Sequence, residues 1–136
     1  MKLKIILASI IGILVIVGVF FVFNRKKESR TKQSSPVISA EEAESLANYV
    51  IKMTPGGFSP STINIKKGET VAWINEDSQF SWPASDIHPT HLIYSEFDPK
   101  EPIASGEGWL FTFEKTGQWN FHDHLRPRWV GTVIVE

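Results

Sequence analysis

Hydrophobic and polar positions divide the chain into three segments with different patterns. Residues 5–23 form an unbroken apolar run with Ser9 as their one hydroxyl and no charge. Residues 24–38 are polar, basic and rich in serine, which is typical of a solvated linker. From about Leu46, short runs of alternating apolar and polar residues follow one another between turn residues. This alternation is typical of half-buried strands and predicts a β-domain over residues 46–136.

The apolar run is long enough to cross a membrane as a helix. Residues 5–23, at ~1.5 Å each, span ~28 Å, close to the ~30 Å hydrocarbon core of a bilayer. A buried core helix would need polar positions on one face, and the run has none. A cleaved signal peptide is the nearer alternative, but its apolar region is usually shorter and a small-x-small cleavage site should come after it. We therefore expect an N-terminal transmembrane helix within residues 1–23, as a membrane anchor or an uncleaved signal.

The charges around this run leave its orientation open. Lys2 and Lys4 precede it, and five basic residues lie after it between Arg25 and Lys32. The positive-inside rule would then keep the C-terminal part in the cytoplasm. A span at the very start of a chain, however, commonly acts as a signal-anchor and exports the rest of the chain. We expect export, which places the β-domain outside the cytoplasm. The retained anchor makes the membrane one partner of the protein.

One short helix and six strands are predicted after the anchor. Ser39 followed by Glu42 fits a capping box, which predicts a helix over 40–47 at the end of a linker at residues 24–45. The alternating runs predict strands over 49–53, 62–66, 70–75, 109–113, 118–122 and 132–135. Their spacing predicts an all-β, antiparallel β-sandwich. Alternate strand positions should supply its core: Ile63, Ile65, Val71, Trp73, Phe111, Phe113, Trp119, Phe121, Val133 and Val135.

Composition excludes several kinds of chemistry. The chain has no Cys, which excludes disulfides, thiol catalysis, iron–sulfur clusters and Cys-based zinc sites. Met53 is the one internal thioether, so a soft metal would find almost no sulfur. The net charge of −1 gives no sign of a nucleic-acid binder, which would need a basic face, and we expect no nucleic-acid partner. The chain also lacks a nucleophile elbow and a glycine-rich phosphate loop, so it has no hydrolase signature.

All four histidines fall in two tight groups. His88 and His91 lie in a long non-alternating loop over residues 76–108, whereas His122 and His124 lie at the end of a predicted strand. Strand residues two apart point to the same face, so His122 and His124 can chelate or flank one ion. A single histidine is more often exposed or hydrogen-bonded in a core. Two pairs in a chain with only four histidines favour a metal site.

These groups define a candidate ligand set. Asp86 precedes the first pair, and Asp123 lies within the second but points away if the strand is regular. Imidazole suits copper, zinc, iron and nickel, and a nitrogen/oxygen site favours Cu(II) in the Irving–Williams order. We expect copper as the cofactor, with zinc or another divalent metal as the alternative. The predicted metal ligands are His91, His122 and His124, with His88, Asp86 and Asp123 as candidates for a fourth.

Four further side chains near the histidines have two interpretations each. Trp82 and Trp129 either cover a metal site or serve in core packing or at the rim. Arg126 and Arg128 either bind an anion or a partner's acidic patch, or are solvated loop charges.

The strands and histidines lie in three segments: I63-N-I-K-K-G-E-T-V-A-W-I-N75, G117-Q-W-N-F-H-D-H-L125 and G131-T-V-I-V135, with a His-bearing loop after the first. These segments resemble the cupredoxins, the single-domain blue-copper proteins and the domains of multicopper oxidases. The resemblance covers about residues 49–136, and the second segment is especially similar to the G-x-W-x-F-H-C-H pattern of oxidase domains. It implies a Greek-key sandwich, His91 or else His88 as the first copper ligand, and a location outside the cytoplasm.

The sequence departs from this family at the copper-binding cysteine, whose position Asp123 occupies. No Met is present in the loop 125–129, where the family often has an axial ligand. Because a thiolate gives blue copper its bonding and tuned potential, this chain cannot build a blue-copper site. The flanking histidines resemble those that bind coupled coppers between oxidase domains, which here would need a second chain.

Three functions are consistent with these observations. The first is a membrane-anchored, cupredoxin-like protein that holds one copper or similar ion for metal handling or electron transfer, with a redox or metal-delivery protein as partner. The second is a redox enzyme with a type-2-like copper and an open coordination position. The third is a metal-free sandwich module for protein contacts. We favour the first, in which the protein is not an enzyme.

Overall fold

A computed structural model describes residues 36–136. The anchor predicted within residues 1–23 and most of the predicted linker lie outside the described residues. Within 36–136, no helix is long and apolar enough to cross a membrane. The described part has one helix and nine strands: β1 (Ile38–Ser39), α1 (Ala40–Leu46), β2 (Tyr49–Thr54), β3 (Gly57–Ser59), β4 (Thr62–Ile65), β5 (Thr70–Asn75), β6 (Pro83–Ser85), β7 (Glu107–Thr112), β8 (Gly117–Asp123) and β9 (Arg126–Val135).

The strands form two sheets that pack face to face. The first sheet has the order β1-β7-β5-β2-β3 and the second β4-β9-β8-β6, which confirms the all-β sandwich. The pairs β2–β5 and β4–β9 are parallel, whereas the sequence predicts an antiparallel sandwich. The alternating pattern shows which face of a strand is buried but not which strand lies beside it. The parallel β2–β5 pair forms because the chain crosses to the second sheet for β4 before it returns to the first for β5.

Aromatic side chains fill the space between the sheets. The Trp73 ring lies 5.5 Å from the Trp109 ring and 4.8 Å from the Phe97 ring, measured between centroids, and all three residues are fully buried. All ten predicted core positions belong to this core, with Phe111 and Trp119 partly buried. Phe97 comes from the long loop, so that loop contributes to the core as well as to the surface.

The first described residues cover the outer face of the first sheet. Ser39 caps α1 by accepting a hydrogen bond from the Glu42 N–H at 3.3 Å, in agreement with the predicted cap. Ala43 is fully buried against Ala72 of β5. A Cβ at Gly108 would lie only 2.7 Å from the Ala43 Cβ, so the close approach of α1 to the sheet requires glycine there. Residues that the sequence assigns to a linker thus pack on the domain.

The second sheet positions the histidines at the end of β8. This strand pairs antiparallel with β6 and β9, and its register with β9 shifts between His122 and Asp123. Gly131 of β9 lies opposite Phe121, where a Cβ would overlap the phenyl ring. The pairing of β8 with β9 and the close contact at Gly131 therefore fix the end of β8, which carries His122 and leads into His124.

Candidate metal centre

The four histidines converge at one end of the sandwich. One ring nitrogen from each of His88, His91, His122 and His124 lies within 4.8 Å of the other three. The Nδ1 atom of His88 is 3.2 Å from Nε2 of His122. The Nε2 atom of His91 is 2.9 Å from Nδ1 of His124. Each loop histidine therefore faces one strand-end histidine, and we call the four residues the histidine cluster.

The spacing of these nitrogens fits a single metal ion. Two nitrogens bound at ~2.0–2.1 Å, with an angle of roughly 90–110° at the ion, lie ~2.9–3.4 Å apart. The two closest pairs of the cluster, at 2.9 and 3.2 Å, match this separation. Opposite ligands of one ion lie ~4.2 Å apart, within the 4.8 Å spread of the four atoms. The described residues thus offer an all-nitrogen ligand set of the right size.

A tight turn and a buried carboxylate hold His91. Its backbone has a φ of 53°, in the left-handed region that residues other than glycine rarely adopt. Its N–H donates to the Ile87 carbonyl at 2.7 Å, and its carbonyl accepts from the Ser85 hydroxyl at 3.1 Å. Its Nδ1 is 2.7 Å from Oδ2 of Asp98. A carboxylate at one ring nitrogen fixes the tautomer of a metal-binding histidine and leaves the other nitrogen, here Nε2, for the metal.

Asp98 is a buried carboxylate with partners on both oxygens. It is 3% exposed and accepts hydrogen bonds from Trp82 Nε1 at 2.9 Å and from the N–H and Nζ of Lys100 at 2.8 and 2.7 Å. Burial raises the pKa of Asp98, but hydrogen bonds from Lys100, His91 and Trp82 outweigh burial and lower the pKa to about 2. Asp98 is therefore ionised at neutral pH and accepts the Nδ1–H of His91. The sequence alone does not distinguish it from the other acidic residues of its loop.

His122 has a similar but more exposed partner. Its Nδ1 is 2.9 Å from Oδ1 of Asp86, which turns Nε2 toward the cluster. The His122 side chain is 3% exposed and that of Asp86 is 34% exposed. The structure thus places Asp86, predicted as a candidate ligand, behind a histidine of the cluster.

His124 lies just beyond the end of β8 and rests on Trp82. Its backbone N–H donates to the Trp82 carbonyl at 2.7 Å, and the two ring centroids are 4.7 Å apart. Burial, followed by repulsion from His91, His88 and His122, lowers the pKa of His124. A lowered pKa keeps the imidazole neutral at physiological pH, with a lone pair available to a metal.

Asp123 faces away from the histidine cluster. It is fully buried and accepts hydrogen bonds from the Ser81 hydroxyl at 2.5 Å, the Leu125 N–H at 2.9 Å and the Arg126 guanidinium at 3.0 Å. Arg126 also donates to Asp77 at 2.7 Å, so its charge is engaged within the protein. The structure brings the four histidines together and leaves Asp123 outside their group.

The two tryptophans near the site differ in what they touch. Trp82 contacts the cluster through the ring of His124 and through its hydrogen bond to Asp98. Trp129 instead lies under Arg126, whose guanidinium carbon is 3.7 Å from the ring centroid.

Comparisons with known proteins identify the family. The sequence pattern of the cupredoxin-like domain matches residues 13–135, and the chain belongs to this family. It is 26% identical to a purple cupredoxin from Nitrosopumilus maritimus, with a TM-score of 0.58 over 65% of this chain and 100% of that one. An oxidised mutant of amicyanin and a Cu(I)-form mutant of amicyanin are 21% and 19% identical; each has a TM-score of 0.60 over 76% of this chain and 94% of its own. No curated protein sequence gives a significant match.

The composition of the chain limits the ligands that it can offer to a metal. It has no Cys, and Met53 is fully buried in the core. A metal at the end of the sandwich would therefore be held by imidazole nitrogen rather than by sulfur.

Proposed function

We propose that this protein binds one copper ion through His88, His91, His122 and His124 and serves in copper handling. The observation that carries the proposal is the convergence of four imidazole nitrogens within 4.8 Å in a cupredoxin-like chain. Two of the four rings are oriented by carboxylates, as metal-binding histidines commonly are. Among divalent first-row ions, a nitrogen site of this kind binds Cu(II) most strongly.

The same ligand set favours a binding role over catalysis. Bound copper supplies a redox-active, Lewis-acidic centre, and the residues of the chain decide how accessible that centre is. Four imidazoles can fill a four-coordinate shell, whereas catalytic sites keep one position open. Blue-copper electron transfer is not part of the proposal because the chain has no thiolate to supply.

Copper loading of the full chain tests the proposal. The protein is loaded with Cu(II) and desalted at neutral pH, and the copper content and the electron paramagnetic resonance spectrum are then measured. We expect one copper per chain, weak colour and a wide hyperfine splitting unlike that of blue copper. An equal amount of Zn(II) should fail to displace the copper. A protein that retains no metal would refute the proposal and support the metal-free interaction module.

We also propose that residues 5–23 anchor the domain outside the cytoplasm. The proposal is supported by the unbroken apolar run near the chain start and by a β-domain without thiols, which an oxidising compartment leaves unchanged. The test fuses reporters that are active on only one side of a membrane to the C-terminus of the full chain. We expect activity from the exported reporter and a membrane-bound fusion protein. A soluble fusion protein, or activity from the cytoplasmic reporter alone, would contradict this proposal.

A further inference from the structure

Burial separates His88 from the rest of the histidine cluster. His91 and His122 are 4% and 2% exposed, and His124 is partly buried. His88 is exposed and belongs to a turn over residues 87–90 in which every residue is exposed. Three of the four imidazoles are thus set into the protein, and one lies on its surface.

The three less exposed histidines each have an anchor outside the cluster. His91 and His122 have a carboxylate at Nδ1, at 2.7 and 2.9 Å. His124 donates its backbone N–H to the Trp82 carbonyl and packs its ring on the indole. None of these anchors involves a ligand nitrogen that faces the centre of the cluster, so the three rings are oriented independently of a metal.

His88 has no comparable anchor among residues 36–136. Its Nδ1 is 3.2 Å from Nε2 of His122. Its ring contacts are with His122 and His124, at centroid distances of 5.2 and 4.8 Å. The base of its turn is closed without its side chain, because the Ile87 carbonyl accepts hydrogen bonds from two backbone N–H groups farther along the turn, at 2.8 and 2.7 Å. Rotation about the side-chain bonds of His88 therefore leaves His91 in place.

We propose that His88 is a detachable fourth ligand that closes the site over three fixed imidazoles and gives way to a nitrogen donor from another molecule. This inference rests on the proposed function. The exchange replaces one nitrogen lone pair by another and needs no oxidant or reductant. With a metal held by the other three imidazoles, His88 could turn into solvent without leaving Nε2 of the buried His122 unpaired. An unpaired buried polar group is otherwise the main cost of moving such a side chain.

His88→Ala and His91→Ala form a matched pair of variants, because each removes one imidazole from the same loop. With Cu(II) as the probe and the full chain as the protein, H88A should keep one copper after desalting, bound more weakly than in the wild type. H91A should retain none after desalting. Millimolar free imidazole should restore the wild-type paramagnetic resonance spectrum in H88A, because the vacated position opens to solvent. It should not do so in H91A, where that position is buried.

Equal loss of copper in both variants would overturn the inference, and so would an H88A spectrum that free imidazole leaves unchanged. A wild-type chain that binds no copper would refute the proposed function instead, so the two failures are distinguishable. Tryptophan fluorescence during thermal unfolding checks that each variant is folded. If H91A does not fold, His124→Ala replaces it with the same expected loss of copper.

Discussion

Two polar clusters lie on opposite sides of the chain where β8 ends. His122 and His124 belong to the histidine cluster, whereas Asp123 between them contacts Arg126. The ladder between β8 and β9 shifts register between His122 and Asp123. Neighbouring residues along one strand end thus belong to environments of different chemistry.

The two clusters differ in how their polar groups are satisfied. Arg126 lies 2.7 Å from Asp77 and 3.0 Å from Asp123 and stacks on Trp129, so opposite charges compensate one another. The histidine cluster instead brings four like groups together, nitrogen to nitrogen. A neutral imidazole has one donor and one acceptor, so the close nitrogen pairs can form hydrogen bonds in the metal-free protein, and a bound cation would accept the lone pairs of all four rings. Complementary groups of this kind stabilise a fold, whereas the four converging imidazoles are a candidate metal site.

The largest expected effect is on stability and comes from Arg126. Arg126→Met leaves the buried carboxylate of Asp123 without its cation, and the free energy of unfolding should fall by about 3 kcal/mol. Urea unfolding of the metal-free protein, followed by tryptophan fluorescence, measures the change. Where it remains folded, the variant should still bind one copper.

Arg128→Met is the matched control. Arg128 is exposed, so its replacement should change the unfolding free energy by less than about 0.5 kcal/mol. If the two variants are equally stable, Arg126 does not compensate the buried charge. If folded R126M loses its copper, the two clusters are not independent.

The core-facing positions of the long strands and the grouping of the histidines could be predicted from the sequence, because both follow from local pattern and residue rarity. Alternation predicts the inward face of six strands, and the four histidines stand out because they occur only as two pairs. The short strands β1, β3 and β6 escape prediction because two or three residues establish no period, and β6 begins with Pro83. The cupredoxin-like family is predicted by motifs in the same strands, and the match over residues 13–135 confirms it.

The orientation of Asp123 and the inward-facing residues of the long loop could not be predicted, because they depend on long-range contacts that no local pattern encodes. Asp123 is a candidate ligand because it lies between two histidines, although a regular strand would point it away from them; in the folded chain it contacts Arg126 instead. Within the non-alternating loop, Phe97 enters the core and Asp98 holds His91. Only the folded chain shows which residues of such a loop turn inward.

The second largest expected effect is on copper affinity and comes from the carboxylates that contact Nδ1 of His91 and His122. Asp98→Asn should weaken copper binding by roughly 10- to 100-fold, because it removes the charge that fixes the His91 tautomer. Asp86→Asn should cost at most about tenfold. The Asp86 side chain is 34% exposed, against 5% for Asp98, so water can take its place. Competition against a coloured Cu(II) chelator measures both affinities.

Asp77→Asn is the control for this pair, since Asp77 contacts Arg126 rather than the histidine cluster. Its copper affinity should equal that of the wild type. Wild-type affinity in D98N, or a greater loss in D86N than in D98N, would show that burial does not set the importance of these partners.

The smallest expected effect is the pH dependence of stability at Asp77. A hydrogen bond from Arg126 lowers the pKa of Asp77 below its usual value, against the opposing effect of burial. A carboxyl group with a lower pKa in the folded than in the unfolded state stabilises the fold above its unfolded pKa of about 3.9 and loses this contribution as pH falls through the folded pKa. D77N should therefore be less stable than the wild type at pH 7, and the difference should shrink as the pH falls below about 4. Urea unfolding of the metal-free proteins at a series of pH values measures the difference in unfolding free energy between the wild type and D77N. If that difference is undiminished in acid, Asp77 stabilises the fold by packing rather than by charge.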